Sequence, residues 1–361
     1  MSRYPALLFA ALLTASSLAA ESDVKIERIF GPELPGRYKH PASMTELANG
    51  DLYLAYYGGS GEYATDTADF GARKKKWENQ WSEPKAIADT PFQADGNPVI
   101  WQAPDGLVWL FYLTRYGDTW SQSRIKAKLS FDNANTWSDP IMMTFELGTM
   151  VRNHPIVLTD GNYLLPIYHE TGNDPEVVGA ESTSLFLRID PKKMTWTESS
   201  RIKSRIGNIQ PAVVQMDENY LIAYCRRAGD YEPTTKEYMV RSESHDGGKT
   251  WSEGRETKIP NPNSAVEFIK LKNGHLMMVY NDSFNERTPL TVAISTDGDK
   301  TYPYKRNIID QPNGDFGYPC AIETQDGKIH VVFTSDERTV VNEAVFDEKA
   351  ITGKADVGKQ K

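Results

Sequence analysis

The stretch "ELANGDLYLAYY", residues 46–57, decides the fold: a short apolar lead, an Asn-Gly dipeptide and a second apolar run. It recurs as "QAPDGLVWLFY" (102–112), "LTDGNYLLPIY" (158–168), "QMDENYLIAY" (215–224), "LKNGHLMMVY" (271–280) and "TQDGKIHVVF" (324–333). Asn-Gly and Asp-Gly readily take the positive φ angles of a type I′ turn, so each copy is expected to be a β-hairpin. The fourth copy departs from the rule with Glu218-Asn219. Self-similarity at this period implies six repeated units.

A second recurrence follows these hairpins. "SFDNANTW" (130–137), "SHDGGKTW" (244–251) and "STDGDKTY" (295–302) share Ser-x-Asp-x-x-x-Thr-aromatic. An Asp in a tight turn accepts backbone N–H bonds and the aromatic can plug the gap beside the next unit, so the box reads as a structural staple rather than a cation or ligand site. "WENQWSEP" (77–84) and "PKKMTW" (191–196) look like degraded copies. Two hairpins per unit make a four-stranded antiparallel blade, and six blades around an axis make an all-β, six-bladed propeller. "DVKIERIF" (23–30) precedes the first unit, and the last unit lacks a fourth strand after "TVVNEAVF" (339–346), so the N-terminal strand is expected to close the ring.

Arg3, the apolar run Ala6–Leu13 and small residues to Ala20 read as a cleaved signal peptide over 1–20, hence a secreted or periplasmic protein. The propeller is expected to occupy 21–348 and the Lys- and Gly-rich 349–361 to be a disordered tail. The formal charge of −9 becomes −10 once Arg3, the only charged residue of 1–20, is removed, which argues against nucleic acid as a partner. No later segment approaches about twenty consecutive apolar residues, so no membrane insertion is expected; oligomeric state is not legible. Cys225 and Cys320, the only cysteines, read as small buried residues, with a single bridge as the minority alternative. Neither Cys–Cys nor Cys–His spacing suggests zinc, and no metal or cofactor is expected.

Strand direction places the residues before the first strand and after the second strand of every blade on one mouth, opposite the staples. Before strand one stand "KHPA" (39–42), "GNPV" (96–99), "NHPI" (153–156), "IQPA" (209–212), "PNSA" (262–265) and "YPCA" (318–321). Proline restricts its predecessor, which aims His40, Asn97, His154, Gln210 and Tyr318. After strand two come Tyr57-Gly58-Gly59, Thr114-Arg115, His169-Glu170, Arg226-Arg227, Asn281-Asp282 and Asp336-Glu337-Arg338. The bland alternative is a rim whose polar groups merely satisfy one another.

Together, the hairpins, Asp boxes and mouth residues resemble the sialidase (neuraminidase) superfamily, in its BNR-repeat branch, over nearly the whole mature chain. The resemblance implies an exo-acting glycoside hydrolase on a terminal acidic sugar, with a glycan as partner. It implies Arg226 in "YLIAYCR" and Arg287 in "NERTPLTVAISTDG" as carboxylate ligands, Tyr318 in "GYPCAIETQDG" as nucleophile, and Asp66 in "EYATDTADFGAR" as general acid, with Asp69 as fallback. Two positions depart from the family: Lys39 replaces the first arginine, and Gln210 the glutamate that activates the tyrosine. A glutamine cannot take a proton, and lysine lacks the bidentate fork of arginine; Asp315 and Glu267 are possible replacement bases.

His40, Asn97, Trp120 and Arg338 complete the expected substrate-binding set. One competing reading is a polysaccharide lyase on uronate-containing glycan using His154 and His169 with Tyr and Arg. The other is a glycan-binding propeller without chemistry, with Trp101, Trp109 and Trp120 as stacking candidates; Trp109 reads as core and Trp120 as ligand-facing.

Overall fold

The computed structural model describes residues 24–174 and 176–353. The expected signal peptide and most of the expected tail lie outside them. Six antiparallel sheets form the propeller. Blade I contains Tyr38–Glu46, Leu52–Gly59, Ala68–Lys74 and Lys85–Ala88. Blade II starts at Ala94–Gln102 and blade III at Thr149–Val151, blade IV at Asn208–Gln215, blade V at Glu267–Lys270 and blade VI at Gly317–Glu323. Only blade III splits its inner strand, with Ile156–Val157 rejoining the same neighbour, Tyr163–His169. The N-terminal strand Lys25–Phe30 pairs antiparallel with Val340–Phe346 and closes the ring, as the unpaired last unit requires.

The hairpin turns correct one expectation. Only glycine takes positive φ in them: Gly50, Gly106, Gly161, Gly274 and Gly327 lie between 83° and 90°. Each of the five donates its N–H three residues back, as Gly50 does to Leu47 O at 2.7 Å. The preceding Asn or Asp stays at negative φ and accepts the N–H two residues on, at 3.1 Å from Asp51 to Asn49 Oδ1. These are three-residue loops with one left-handed glycine, not type I′ turns. The fourth turn, without glycine, hangs on Asp217, whose Oδ1 accepts from Asn219 N and Tyr220 N at 2.9 and 2.8 Å.

Alternating side chains bury a separate apolar cluster between each pair of neighbouring blades. Leu165 and Ile167 of blade III meet Phe111 and Ile125 of blade II, for example, and Val279 and Val292 of blade V meet Val331 and Phe333 of blade VI. The Asp boxes staple as expected: Thr136 N donates to Asp132 Oδ1 at 2.9 Å, and Thr136 Oγ1 to Oδ2 at 2.6 Å, with the same bonds at Asp246 and Asp297. Their aromatics reach back to the preceding blade rather than forward: Trp137 packs on Tyr53, Trp251 stacks on Phe186 at 4.3 Å, and Tyr302 joins the cluster of Tyr224. In the degraded copies, Trp81 meets Phe30 and Trp196 Nε1 donates to Met143 O at 2.8 Å. Cys225 and Cys320 are buried free thiols. The expected tail begins instead with a helical turn, Lys349–Thr352, because Ala350 and Ile351 are apolar and bury against blades V and VI.

Candidate active site

Four of the five X-Pro pairs are β-bulges in an inner strand, and the fifth, His154-Pro155, lies in the break between Thr149–Val151 and Ile156–Val157. The inner-strand register skips between Lys39 and Ala42, Gly96 and Val99, Ile209 and Ala212, and Gly317 and Cys320. Proline has no N–H to lose from the ladder, so the bulge costs no hydrogen bond there. Asn97, Gln210 and Tyr318 take φ of 47°, 53° and 55°, and Asn263, without a proline, takes 55°. Left-handed non-glycine residues cost about 1–3 kcal/mol each and concentrate where function holds them.

The bulges surround a cleft at the mouth. At its centre Tyr318 OH accepts from Arg226 Nη1 at 2.8 Å and from Gln210 Nε2 at 3.4 Å. The guanidinium groups of Arg152 and Arg287 stand 5.4 Å from its ring, and the His40 ring meets it edge-on at 4.1 Å. Burial pushes the Tyr318 hydroxyl up, but the charges of Arg226, Arg287 and Arg338 outweigh it and hold the pKa below the usual tyrosine value. Gln210 bridges the pair, since its Oε1 also accepts from Arg226 Nη1 at 3.2 Å. Arg226 is fixed further by Asn263 Oδ1 at 2.7 Å and Tyr231 OH at 2.9 Å. Arg287 Nη1, by contrast, is buried with no acceptor among the described residues.

Three carboxyls line the cleft; Glu176, on its exposed side, accepts from Tyr63 OH at 3.1 Å. Glu62 accepts from Tyr38 OH at 2.6 Å and pairs with Arg338, so one is already neutralised. Glu170, 7 % exposed, has a carboxyl that no hydrogen bond from another described residue reaches. Burial raises its pKa to about 7, with Arg226 pulling the other way. His40 is held neutral, well below its usual value, by burial and by the four arginines 338, 287, 152 and 226. Thr334 Oγ1 donates to Gly317 O at 3.3 Å and so accepts from His40 Nδ1 at 2.8 Å, which leaves Nε2 an unprotonated nitrogen without a partner among the described residues.

Of the residues singled out from sequence, Tyr318, Gln210, Arg226, Arg338, His40, Asn97 and Trp120 line the cleft, and Arg287 flanks it. Asn97 Nδ2 donates to Tyr168 OH at 3.2 Å, and Trp120 lies 5.4 Å from the ring of Tyr63. Trp109 is core, stacked on Phe111, and Trp101 packs on Tyr163.

Five expectations fail geometrically. Lys39 points to the opposite side from its strand neighbour His40, and Nζ donates to Leu34 O at 3.0 Å. Asp66 is exposed and closes its own loop by accepting from Ser60 N and Oγ at 3.1 and 2.9 Å, while Glu62 of that loop takes the cleft position. The fallback, Asp69, is buried between blades I and II beside Asp95, with no donor to either oxygen. His154 and His169 do not converge: His154 lines an axial channel behind the cleft, and His169 Nε2 lies 3.4 Å from Glu146 Oε1 on the flank. Glu267 lies in that channel too, and neither it nor Asp315 lines the cleft.

Sequence reasoning missed Glu62 and Glu170 as acids. Glu170 stood in plain view after strand two of blade III, but only its environment distinguishes it from the other rim carboxylates.

The sequence matches the BNR repeat-like domain family over residues 50–331. No curated protein matches it. Among solved structures, a Hadza microbial sialidase superposes with TM-score 0.72 at 16% identity, covering 88% of this chain and 67% of that one. The NanB sialidase from Streptococcus pneumoniae superposes with TM-score 0.73 at 10% identity, over 90% and 71% of the respective chains. A protein of unknown function from Dyadobacter fermentans gives 0.70 at 15% identity, over 89% and 99%. These likenesses establish the sialidase-like propeller fold.

Proposed function

The chain belongs to the BNR repeat-like domain family, and we propose that it is an exo-acting glycosidase that hydrolyses a terminal acidic sugar, sialic acid- or uronate-like, from glycans. One observation carries this reading: an arginine-held tyrosine and a protonatable buried glutamate share one cleft. Arg226 and Arg338, which line the cleft, and Arg287 beside it offer charge to a sugar carboxylate. Tyr318 reacts as its phenolate, the form the arginines favour: its oxygen bonds to the anomeric carbon as the glycosidic bond breaks, and Glu170 gives its proton to the leaving oxygen. Water then cleaves the tyrosyl–sugar bond, returning a proton to Glu170. Gln210 takes no proton; it positions Tyr318 and Arg226. We assign the site of action to the secretory or periplasmic side, from the apolar leader at 1–20.

The test is incubation with sialosides and uronate-capped oligosaccharides, followed by mass spectrometry of the products. A released acidic monosaccharide that has gained water, lost in Tyr318→Phe and Glu170→Gln, is expected. No release from any acidic glycan overturns the proposal. The free Nε2 of His40 beside Tyr318 favours a second reading, elimination from a uronate. Its mark is an unsaturated, ultraviolet-absorbing product without added water, abolished by His40→Ala.

A further inference from the structure

Three donors of different kinds meet on the propeller axis, behind the cleft and outside its proposed chemistry. His154 of blade III, Glu267 of blade V and Cys320 of blade VI bring a ring nitrogen, a carboxylate oxygen and a sulfur within 4.8 Å of one another. Cys320 Sγ lies 3.9 Å from His154 Nε2 and 4.0 Å from Nδ1. We propose that this trio is a binding site for one thiophilic divalent cation of the Zn²⁺ type, tying blades III, V and VI together with its fourth position open to the axial channel.

The spacing fits: a tetrahedral ion with Zn–S of about 2.3 Å and Zn–N of about 2.0–2.1 Å separates those two donors by roughly 3.6 Å. The ligands are also held from behind. Glu267 Oε1 accepts Phe268 N and Oε2 accepts Ala321 N, both at 3.1 Å, so the carboxylate is oriented while lone pairs remain. Ser43 Oγ, 3.0 Å from His154 Nε2, is itself anchored by Ile100 N at 3.2 Å and steadies the imidazole. His154 and Glu267 line an axial cavity of about 580 Å³ that runs toward the hairpin turns, which supplies an entry path.

Metal-free, the trio is poorly solvated. Burial pushes the Cys320 thiol up to about 12, raises the Glu267 carboxyl and lowers His154. A bound dication inverts that logic, because thiolate, carboxylate and neutral imidazole are the forms it binds. Arg152, whose charge reaches all three groups, opposes the ion. Two anionic ligands offset it, and the sulfur selects a soft or borderline metal over Ca²⁺ or Mg²⁺. Spacing along the chain could not reveal this site, since its ligands come from three different blades.

The test uses the whole protein, stripped with a chelator and titrated with Co²⁺ and then Zn²⁺. One equivalent of Co²⁺ is expected to give a thiolate-to-cobalt charge-transfer band that Zn²⁺ abolishes. The band should survive Cys225→Ser and vanish in Cys320→Ser. Zn²⁺ affinity should fall in Cys320→Ser and His154→Ala by more than the roughly 10–100-fold that loss of an outer-shell partner costs. Should those variants fail to fold, the wild type and Cys225→Ser decide alone, because the chain has only two cysteines. Absence of the band in wild type, its loss in Cys225→Ser, or its survival in a folded Cys320→Ser overturns the site.

Discussion

The two faces of the propeller put the same functional group to opposite uses. On the hairpin face, the Asp132 and Asp297 carboxylates are exposed and saturated with donors, and the bonds from Thr136 and Thr301 hold both pKa values down at about 2. At the mouth, the Glu170 carboxyl is buried and receives no hydrogen bond from another described residue, and its pKa rises to about 7. The difference lies in burial and hydrogen-bond supply, not residue chemistry. A carboxylate that has all its bonds is scaffolding; one denied them is ready to exchange a proton.

The sharpest way to break this contrast is Tyr318→Phe. It should lower kcat/KM on an acidic glycan by on the order of 10⁴, as loss of a nucleophile does, while circular dichroism stays unchanged. Glu170→Gln should cost about 10²–10⁴ and remove the limb by which wild-type activity falls as pH rises through about 7, the acid then being unprotonated. The same variant should move stability the other way. Glu170 is raised on folding, so the native state keeps a proton that the unfolded chain releases, and stability drains away from the ordinary glutamate range upward through about 7. Urea unfolding should therefore find Glu170→Gln more stable than wild type by up to about 3 kcal/mol near pH 8, and nearly equal to it near pH 5.

The scaffold half of the comparison predicts smaller effects. Asp246→Ala strips its staple of the bonds from Ser244, Lys249 and Thr250 and should destabilise by about 1–3 kcal/mol in urea, with kcat/KM unmoved. Smallest is Ala134→Gly: Ala134 holds φ of 60° where the equivalent Gly248 holds 84°. Releasing that strain should raise the unfolding free energy by about 0.5–1 kcal/mol. A loss of activity in either variant would show that the hairpin face is not mere scaffolding.

The legible features were the ones carried by adjacent residues. Hairpins at 46–57 and its five copies, the staples, and the bulged X-Pro side chains of Asn97, Gln210 and Tyr318 each depend on a few consecutive positions. The turn type was misjudged because a single left-handed glycine with an Asn or Asp side-chain acceptor satisfies the same dipeptide. At the site, family likeness pointed to Lys39 and Asp66, yet strand alternation turns the first away and a local Ser60 contact keeps the second at the surface. Arg338, whose O accepts from Lys39 N at 2.7 Å, and Glu62 of the Asp66 loop line the cleft instead.

Blade number, staple chemistry and the strand that closes the ring follow from the chain alone, because each is written in short-range patterns of turn residues and alternation. Which charged groups lie together, and which of them are dry, depends on ring closure. Burial and the field of Arg152, Arg226, Arg287 and Arg338 at one point are sums over several blades. No local stretch of sequence contains such a sum, so the acid of the cleft and the His154–Glu267–Cys320 cluster emerge only when the six blades meet at the axis.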